Sequence, residues 1–182
     1  RVDRFVANSC HVAGRILKYY GRRSDVVYPP VATQHTQISE TDDGYFLIVS
    51  AFAPYKRLDI AIAAFNQLNE KLIIVGSGPE EKRLKALAGR NIEFTGWIDA
   101  QQLHNAYARC RALIFPGEED FGMVPVEAQC WGKPVIAFGR GGSLETIVGH
   151  WADSARKPAA ACTGLYFRNQ TVQDLIQAVR AF

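Results

Sequence analysis

The sequence lacks the residue groupings from which proteins usually build a metal site or a disulfide framework. Its four cysteines, Cys10, Cys110, Cys130 and Cys162, lie too far apart for a C-x-x-C pair, and no histidine-rich cluster accompanies them. This spacing favours reduced, mostly buried thiols. We therefore expect a cytoplasmic protein that holds no metal.

Long apolar runs and a strong charge imbalance are missing as well. No segment approaches the roughly 18–20 apolar residues that cross a bilayer, and we expect no signal peptide. The net charge is only +3, which does not indicate a nucleic-acid partner but is compatible with a phosphate-bearing ligand. The 182 residues suffice for one sizeable domain and are short for two. Because the chain starts at Arg1 within RVDRFVANS, we expect a piece of a longer protein.

Two common catalytic patterns are incomplete. The stretch GSGPEE (76–81) begins like the dinucleotide fingerprint G-x-G-x-x-G, but Glu81 stands where the third glycine belongs. No histidine has an evident Ser, Cys or Asp partner for a catalytic triad. The sequence therefore disfavours a nicotinamide dehydrogenase and gives no support to a triad hydrolase.

What the sequence does contain is a regular alternation of apolar runs and amphipathic segments. Since the apolar runs are continuous, they favour a parallel sheet that is covered on both faces. The alternation predicts an α/β fold with a doubly wound, Rossmann-like parallel sheet. The predicted strands are 25–31, 45–51, 71–76, 91–96, 111–117, 133–138 and 163–167; the predicted helices are 3–21, 57–68, 79–89, 100–110, 124–132, 142–148 and 171–182, with Asp99 as a cap and a polar loop over 32–44.

In such a sheet, ligands bind at the loops that follow the carboxyl ends of the strands. Lys56 lies in one of these loops, where it could reach a diphosphate or simply face solvent. Gly76 and Gly78 lie in another, where they could admit a ligand at a helix N-terminus or only form a tight turn. The stretch GRGGSLET (139–146) is open to the same two interpretations.

The stretch PGEEDFGMVPVEA (116–128) places Glu119 and Glu127 on either side of a turn into a helix. The first N–H groups of that helix could hold sugar hydroxyls or an anion, and carboxylates accept hydrogen bonds from vicinal hydroxyls. The alternative is an acidic turn that the helix dipole stabilises. We expect Glu118 and Asp120 to be solvated loop charges and His11 and His104 to be structural or solvated, while His35 and His150 have no evident catalytic partner.

Taken together, these loops resemble one family. Four stretches carry the resemblance, namely YFLIVSAFAPYKRLDIAIAAFNQL, LIIVGSGPEEKRLKAL, IEFTGW and FPGEEDFGMVPVEAQCWGKPVIAFGRGGSLETI. They are similar, in this order, to the retaining glycosyltransferases of family four (group 1), which have the GT-B fold. Residues 1–182 look like the C-terminal donor-binding half of such an enzyme, and the N-terminal acceptor domain is absent from this chain. The forms present here look most like surface-polysaccharide mannosyltransferases.

The resemblance implies a role for each of several residues. Lys56 would contact the diphosphate of the donor, and Glu119 would bind the donor sugar, so that these two carry catalysis. Glu127 would bind the ribose. The remaining donor-binding residues would be Phe121, Gly122, Met123 and Val124 around the sugar and distal phosphate, Gly76 and Gly78 along the nucleotide, and Trp97 and Ile98 near the base.

The implied reaction is transfer of a hexose with retention, with mannose from GDP-mannose favoured. The acceptor would be a glycan or a lipid-linked sugar reached through the absent domain, so the isolated fragment would be inactive. The family needs no cofactor or metal and no nucleic acid, and the intact enzyme would be cytoplasmic or peripheral at the inner membrane face.

Ala51 departs from the family, which usually carries an Arg there. The alternatives are a nucleotide-sugar epimerase of the same fold and a non-catalytic nucleotide-binding module.

Overall fold

The chain begins with a small βαβ unit that forms its own sheet. The structure is a computed structural model that describes residues 2–32, 38 and 41–182. Strand β1 (Val6–Ala7) leads into helix α1 (Cys10–Tyr20), and β2 (Asp25–Val26) then pairs with β1 in parallel. Ser9 caps α1 by accepting a 3.0 Å hydrogen bond from the Val12 N–H. We call residues 2–30 the N-terminal unit.

The rest of the described chain is organised around a seven-stranded sheet in which every neighbouring pair is parallel. The spatial order is β5-β4-β3-β6-β7-β9-β8. The chain therefore builds outward from β3 in one direction and then returns to build in the other, as in a doubly wound fold. The strands are β3 (Tyr45–Val49), β4 (Lys71–Val75), β5 (Ile92–Gly96), β6 (Ala112–Phe115), β7 (Val135–Phe138), β8 (Gly149–Trp151) and β9 (Gly164–Phe167).

Helices cover both faces of this sheet. Alternate residues of each strand point to opposite faces, so Phe46 and Ile48 join one apolar cluster whereas Tyr45 and Leu47 join the other. The first cluster packs against α2, α3 and α7, and the second includes residues of α4 and α5. These helices, with the short α6, are α2 (Leu58–Leu68), α3 (Glu81–Leu87), α4 (Ala100–Arg109), α5 (Met123–Cys130), α6 (Ser143–Thr146) and α7 (Val172–Ala181).

Most predicted elements are present, with shorter bounds. Asp99 caps α4 as predicted, because its side chain accepts a 2.8 Å hydrogen bond from the Gln102 N–H. Two predictions near the N-terminus were too long: the helix over 3–21 is preceded by β1, and the strand over 25–31 is limited to β2. A 3₁₀ helix at Pro54–Lys56 and the strand β8 were not predicted. Much of the predicted loop over 32–44, with His35, lies outside the described residues.

Candidate functional site

A cleft of about 500 Å³ opens where β3, β4 and β6 end. Val49, Val75 and Phe115, the last residues of these strands, form part of its lining. The cleft lies at the point where the strand order reverses, because β4 is on one side of β3 and β6 is on the other. Doubly wound sheets bind their ligands at this kind of position.

The cleft brings together most of the residues that the sequence singled out. Glu127 and Gly78 are not among those that line it. Several lining residues were not predicted, including Asn8, which follows β1 and carried no sequence signal for a site. The predicted residues in the lining are Lys56, Gly76, Trp97, Ile98, Glu119, Phe121, Gly122, Met123 and Val124.

Lys56 and Glu119 form an ion pair in the cleft. Lys56 ends the 3₁₀ helix, and Glu119 lies in the loop that follows β6. Their side chains are only 19% and 18% exposed. The pair therefore places one cation and one carboxylate, each shielded from much of the solvent, at the same point of the cleft.

Close packing of two loops accounts for the meeting of Lys56 and Glu119. A β-carbon on Gly117 would lie 3.0 Å from the Lys56 Cα and 3.1 Å from the Tyr55 carbonyl oxygen. Contacts this short leave little room for a side chain, so glycine allows the loop after β6 to approach the 3₁₀ helix. Arg57 then adopts a left-handed conformation (φ 54°) from which α2 begins.

The glycines at 141 and 142 serve loop packing. The Gly142 N–H donates a 2.8 Å hydrogen bond to the Glu119 carbonyl. Gly141 has a φ of +67°, which side chains rarely tolerate, and a β-carbon on Gly142 would collide with the Phe121 backbone. Of the two interpretations of GRGGSLET, the structure supports a loop shaped by backbone requirements.

The acidic loop, which we define as residues 118–122, leads into the N-terminus of α5. Gly122 is the N-cap of this helix with φ 90° and ψ 68°. The first N–H groups of any α-helix lack intrahelical acceptors, and those of α5 begin at Met123 and Val124, which line the cleft. The cleft thus combines a helix N-terminus with the Lys56–Glu119 pair.

The turn after β4 approaches the loop after β3 very closely. A β-carbon on Gly76 would collide with the Ser50 carbonyl, and one on Gly78 would lie 2.7 Å from the Phe52 nitrogen. Gly76 lines the cleft while Gly78 packs against Phe52, so Gly78 has a packing reason to be glycine. Across the cleft, Trp97 follows β5 and is 81% exposed, which leaves its ring open to contact.

Glu127 is held by a residue that sequence reasoning missed. The hydroxyl of Tyr107, on α4, donates a 2.7 Å hydrogen bond to Glu127 Oε2. Burial, and then the Glu127 carboxylate, raise the pKa of Tyr107 far above its ordinary value, so the hydroxyl keeps its proton. Tyr107 is buried at 2% exposure, and nothing in the sequence of α4 indicated this partner.

The N-terminal unit contacts the acidic loop. Arg15 Nη1 donates a 2.6 Å hydrogen bond to Asp120 Oδ1, and His11 Nε2 lies 3.8 Å from Glu118 Oε1. The ring of Tyr28 stacks on Phe121 with centroids 5.6 Å apart. Glu118 and Asp120 are exposed, as expected, but they face basic side chains of α1 and are more than solvated charges.

Glu145, on α6, holds the start of α1. Its carboxylate accepts hydrogen bonds from the N–H groups of Cys10 (2.7 Å) and His11 (2.8 Å) and from the Tyr28 hydroxyl (3.2 Å). Burial by itself raises the pKa of Glu145, but the hydrogen bonds from the Cys10 and His11 N–H groups and from the Cys10 and Tyr28 side chains together outweigh it, and the net shift is downward. Hydrogen bonds with Cys10 and Glu145 raise the pKa of Tyr28 to about 12.

Ala51 lines the cleft at the position where the family usually carries an Arg. Among the residues that the structure describes, Lys56 is the sole Lys or Arg in this lining.

No group of three or more His, Cys, Asp or Glu side chains within the described ranges could hold a metal ion. Nor does that part of the chain contain a helix with the length and apolar character to cross a membrane.

The family profile described as "Glycosyl transferases group 1" matches residues 32–182. The chain belongs to this family. It is 31% identical over 169 residues to the D-rhamnosyltransferase WbpZ of Pseudomonas aeruginosa, with 81% of this chain and 44% of WbpZ covered. It is 34% identical over 114 residues to a GDP-mannose-dependent phosphatidylinositol monomannoside mannosyltransferase of Corynebacterium glutamicum, with 54% of this chain and 30% of the relative covered.

The fold of this chain is also similar to those of solved structures. Anabaena HepE in complex with UDP-glucose superposes with a TM-score of 0.81 at 21% identity, over 98% of this chain and 53% of HepE. At that identity the likeness shows the fold alone, and it confirms the Rossmann-like α/β prediction. The chain spans less than half of the length of the curated relatives it matches.

Proposed function

We propose that this chain is the C-terminal, donor-binding half of a two-domain glycosyltransferase that transfers a hexose from a nucleotide sugar. The observation that carries the proposal is the cleft itself. It sits where the strand order reverses, and it holds Lys56 and Glu119 beside the N-terminus of α5. One cation, one carboxylate and a set of free N–H groups suit a ligand that has both phosphates and hydroxyls.

In this proposal Lys56 and the α5 N-terminus bind the diphosphate. As the glycosidic bond to the donor breaks, negative charge grows on the leaving diphosphate, and fixed positive groups stabilise it. Glu119, released from Lys56, accepts hydrogen bonds from the donor sugar. The backbone of Phe121 and Gly122 lies beside that sugar.

The nucleoside would occupy the part of the cleft between Gly76 and Trp97. The exposed Trp97 ring and Ile98 would contact the base, and Gly76 would let the nucleotide approach the backbone. Glu127 would bind the ribose in an orientation that its hydrogen bond from Tyr107 selects. Because Glu127 is outside the cleft lining, this role requires that the ribose reach toward α4.

We favour GDP-mannose as the donor, with retention at the anomeric carbon and without a metal or cofactor. The C. glutamicum relative, which is GDP-mannose-dependent by name, supports this donor. The HepE complex makes UDP-glucose the second candidate. The acceptor would be a glycan or lipid-linked sugar, bound by the other half of the protein, so transfer would need that half.

Calorimetry on this chain tests the proposal directly. We expect GDP and GDP-mannose to bind in the cleft, UDP and UDP-glucose to bind more weakly, and NAD not to bind. Tighter binding of the uridine pair would keep the donor-binding function and change the donor. Absence of heat with all five compounds would contradict the donor-binding function.

Two variants, in each of which an amide of the same size replaces a carboxylate, test where the nucleotide lies. Glu127→Gln should weaken GDP binding by about tenfold, as expected when one charged hydrogen-bond acceptor is lost. Glu118→Gln, a matched change at a residue outside the cleft lining, should leave the affinity within about twofold. Equal effects of the two variants would remove Glu127 from the ribose site.

Ala51 supports a second candidate, a module that binds nucleotide without turnover, because Lys56 is the sole Lys or Arg among the described residues that line the cleft. The transferase names of the relatives give no support to an epimerase. Assay of the whole protein separates the two candidates. Transfer that falls at least about tenfold in Lys56→Ala would show that the cleft carries out catalysis.

A further inference from the structure

The contacts that join the N-terminal unit to the rest of the molecule converge on two features, Glu145 and the acidic loop. At Glu145, two backbone N–H groups at the start of α1 donate to one carboxylate. Such charge-assisted hydrogen bonds at a helix N-terminus are among the stronger polar contacts in proteins, since the helix dipole adds to them. Glu145 therefore fixes where α1 begins and in which direction it runs.

With its N-terminus fixed, α1 presents its next turn to the acidic loop. Arg15 bonds to Asp120 at 2.6 Å, and Tyr28, which also donates to Glu145, stacks on Phe121. The loop is held from a second direction by the Gly142 N–H, one residue before α6, through the Glu119 carbonyl. The N-terminal unit, the residue before α6 and the 3₁₀ helix thus each contact the loop.

We propose that Glu145 is a positioning residue for the donor cleft. By anchoring α1 it keeps the N-terminal unit against the acidic loop, and the loop in turn keeps Glu119 in the cleft for the donor sugar. This inference rests on the proposed function for what the cleft binds. Glu145 does not line the cleft, so its effect on a ligand must pass through the loop.

Hydrogen exchange of the ligand-free protein tests the structural step. In Glu145→Gln, the amides of residues 118–122 and of α1 should exchange roughly threefold faster or more, while those of β3 and β6 are unchanged. Glu93→Gln is the matched control, because Glu93 is an ion-paired carboxylate on β5 that lies outside the cleft lining. Unchanged exchange in the acidic loop, or uniformly faster exchange throughout the sheet, would overturn the inference.

Calorimetry with GDP-mannose and GDP tests the step from loop to ligand. Glu145→Gln should weaken GDP-mannose binding by about fivefold and GDP binding by less, because the sugar is the part that depends on Glu119. In a Glu119→Gln background, the same change should cost less than about twofold. Additive losses, or equal losses for the two ligands, would overturn the positioning role.

The two proposals fail in different ways. If the unaltered chain binds no nucleotide, the donor-binding function fails, and the exchange result alone decides whether Glu145 organises the loop. If the chain binds GDP-mannose and Glu145→Gln matches Glu93→Gln in both measurements, the donor-binding function stands and the positioning role fails.

Discussion

Lys56 and Glu119 neutralise each other in the ligand-free cleft, so a diphosphate must compete with Glu119 for the cation. Glu119→Gln removes that competitor and also removes a negative charge that repels phosphate. We expect the variant to bind GDP at least as tightly as the unaltered chain and GDP-mannose about tenfold more weakly, as for loss of one charged hydrogen-bond partner. Calorimetry with both ligands checks this, and parallel losses would contradict it.

Tyr107 and Tyr45 are both buried tyrosines, and their hydroxyl groups donate to different acceptors, so that they can be compared as a variant and its control. Tyr107 donates to the Glu127 carboxylate, whereas Tyr45 donates to the Ala106 carbonyl at 2.9 Å. Replacing either by Phe should lower the free energy of unfolding by about 1–2 kcal/mol, measured in urea. Only Tyr107→Phe should also weaken GDP binding, because it frees Glu127 to rotate. A loss of affinity in Tyr45→Phe as well would indicate a general packing effect.

At the scale of elements, the loop before α6 shows how backbone contact shapes the cleft. Gly142 has an ordinary helical φ of −64°, so alanine is allowed by its backbone and excluded only by the nearby Phe121 backbone. Gly142→Ala should therefore displace the acidic loop, reduce stability by about 1–3 kcal/mol and abolish donor binding.

Gly14, inside α1, provides the control, since a β-carbon there would meet no atom within 4 Å apart from its chain neighbours and the nearby backbone of its own helix. Gly14→Ala should raise stability by up to about 1 kcal/mol through helix propensity and leave binding unchanged. Thermal unfolding and calorimetry compare the two variants. Similar behaviour of both would refute the steric argument at position 142.

The elements that sequence predicted well are those with a long apolar run or a long periodic pattern. The run that became β3 has five consecutive apolar residues and the run that became β4 has four after Lys71, and the structure confirms both strands to within one or two residues. Strands β1 and β2 have two residues each, too few to show a period, and β8 has three. These strands owe their pairing to tertiary contacts, which no local pattern records.

For the whole molecule, the position of the cleft could be predicted because a parallel sheet sends all its carboxyl ends to one edge. That rule brought Lys56 and Glu119 to the same edge although they are 63 residues apart. The contacts of the N-terminal unit could not be predicted in this way. They depend on how a separate sheet docks, and the Glu145 pairing spans 135 residues with no pattern linking its two ends.

The stability of the whole molecule should depend on pH through Glu145. Its folded-state pKa lies below the ordinary value of 4.5 because its hydrogen bonds with Cys10, His11 and Tyr28 together outweigh the effect of burial. Stabilisation by the carboxylate is therefore complete above that value and is lost as the pH falls through the lower folded-state pKa. The difference in unfolding free energy between the unaltered chain and Glu145→Gln, measured in urea, should shrink in acid. A constant difference would contradict this.

The Glu145 contact also has a consequence for biosynthesis. The N–H groups of Cys10 and His11 leave the ribosome before Glu145, whose residue number is higher by 135 and 134 respectively. At roughly 5–20 residues per second this interval lasts about 7–27 s. During that time α1 has no acceptor from α6, and Tyr28 has no Phe121 ring to cover it for most of the same period. For most of this interval the nascent chain thus exposes the face of the Tyr28 ring on which Phe121 later stacks.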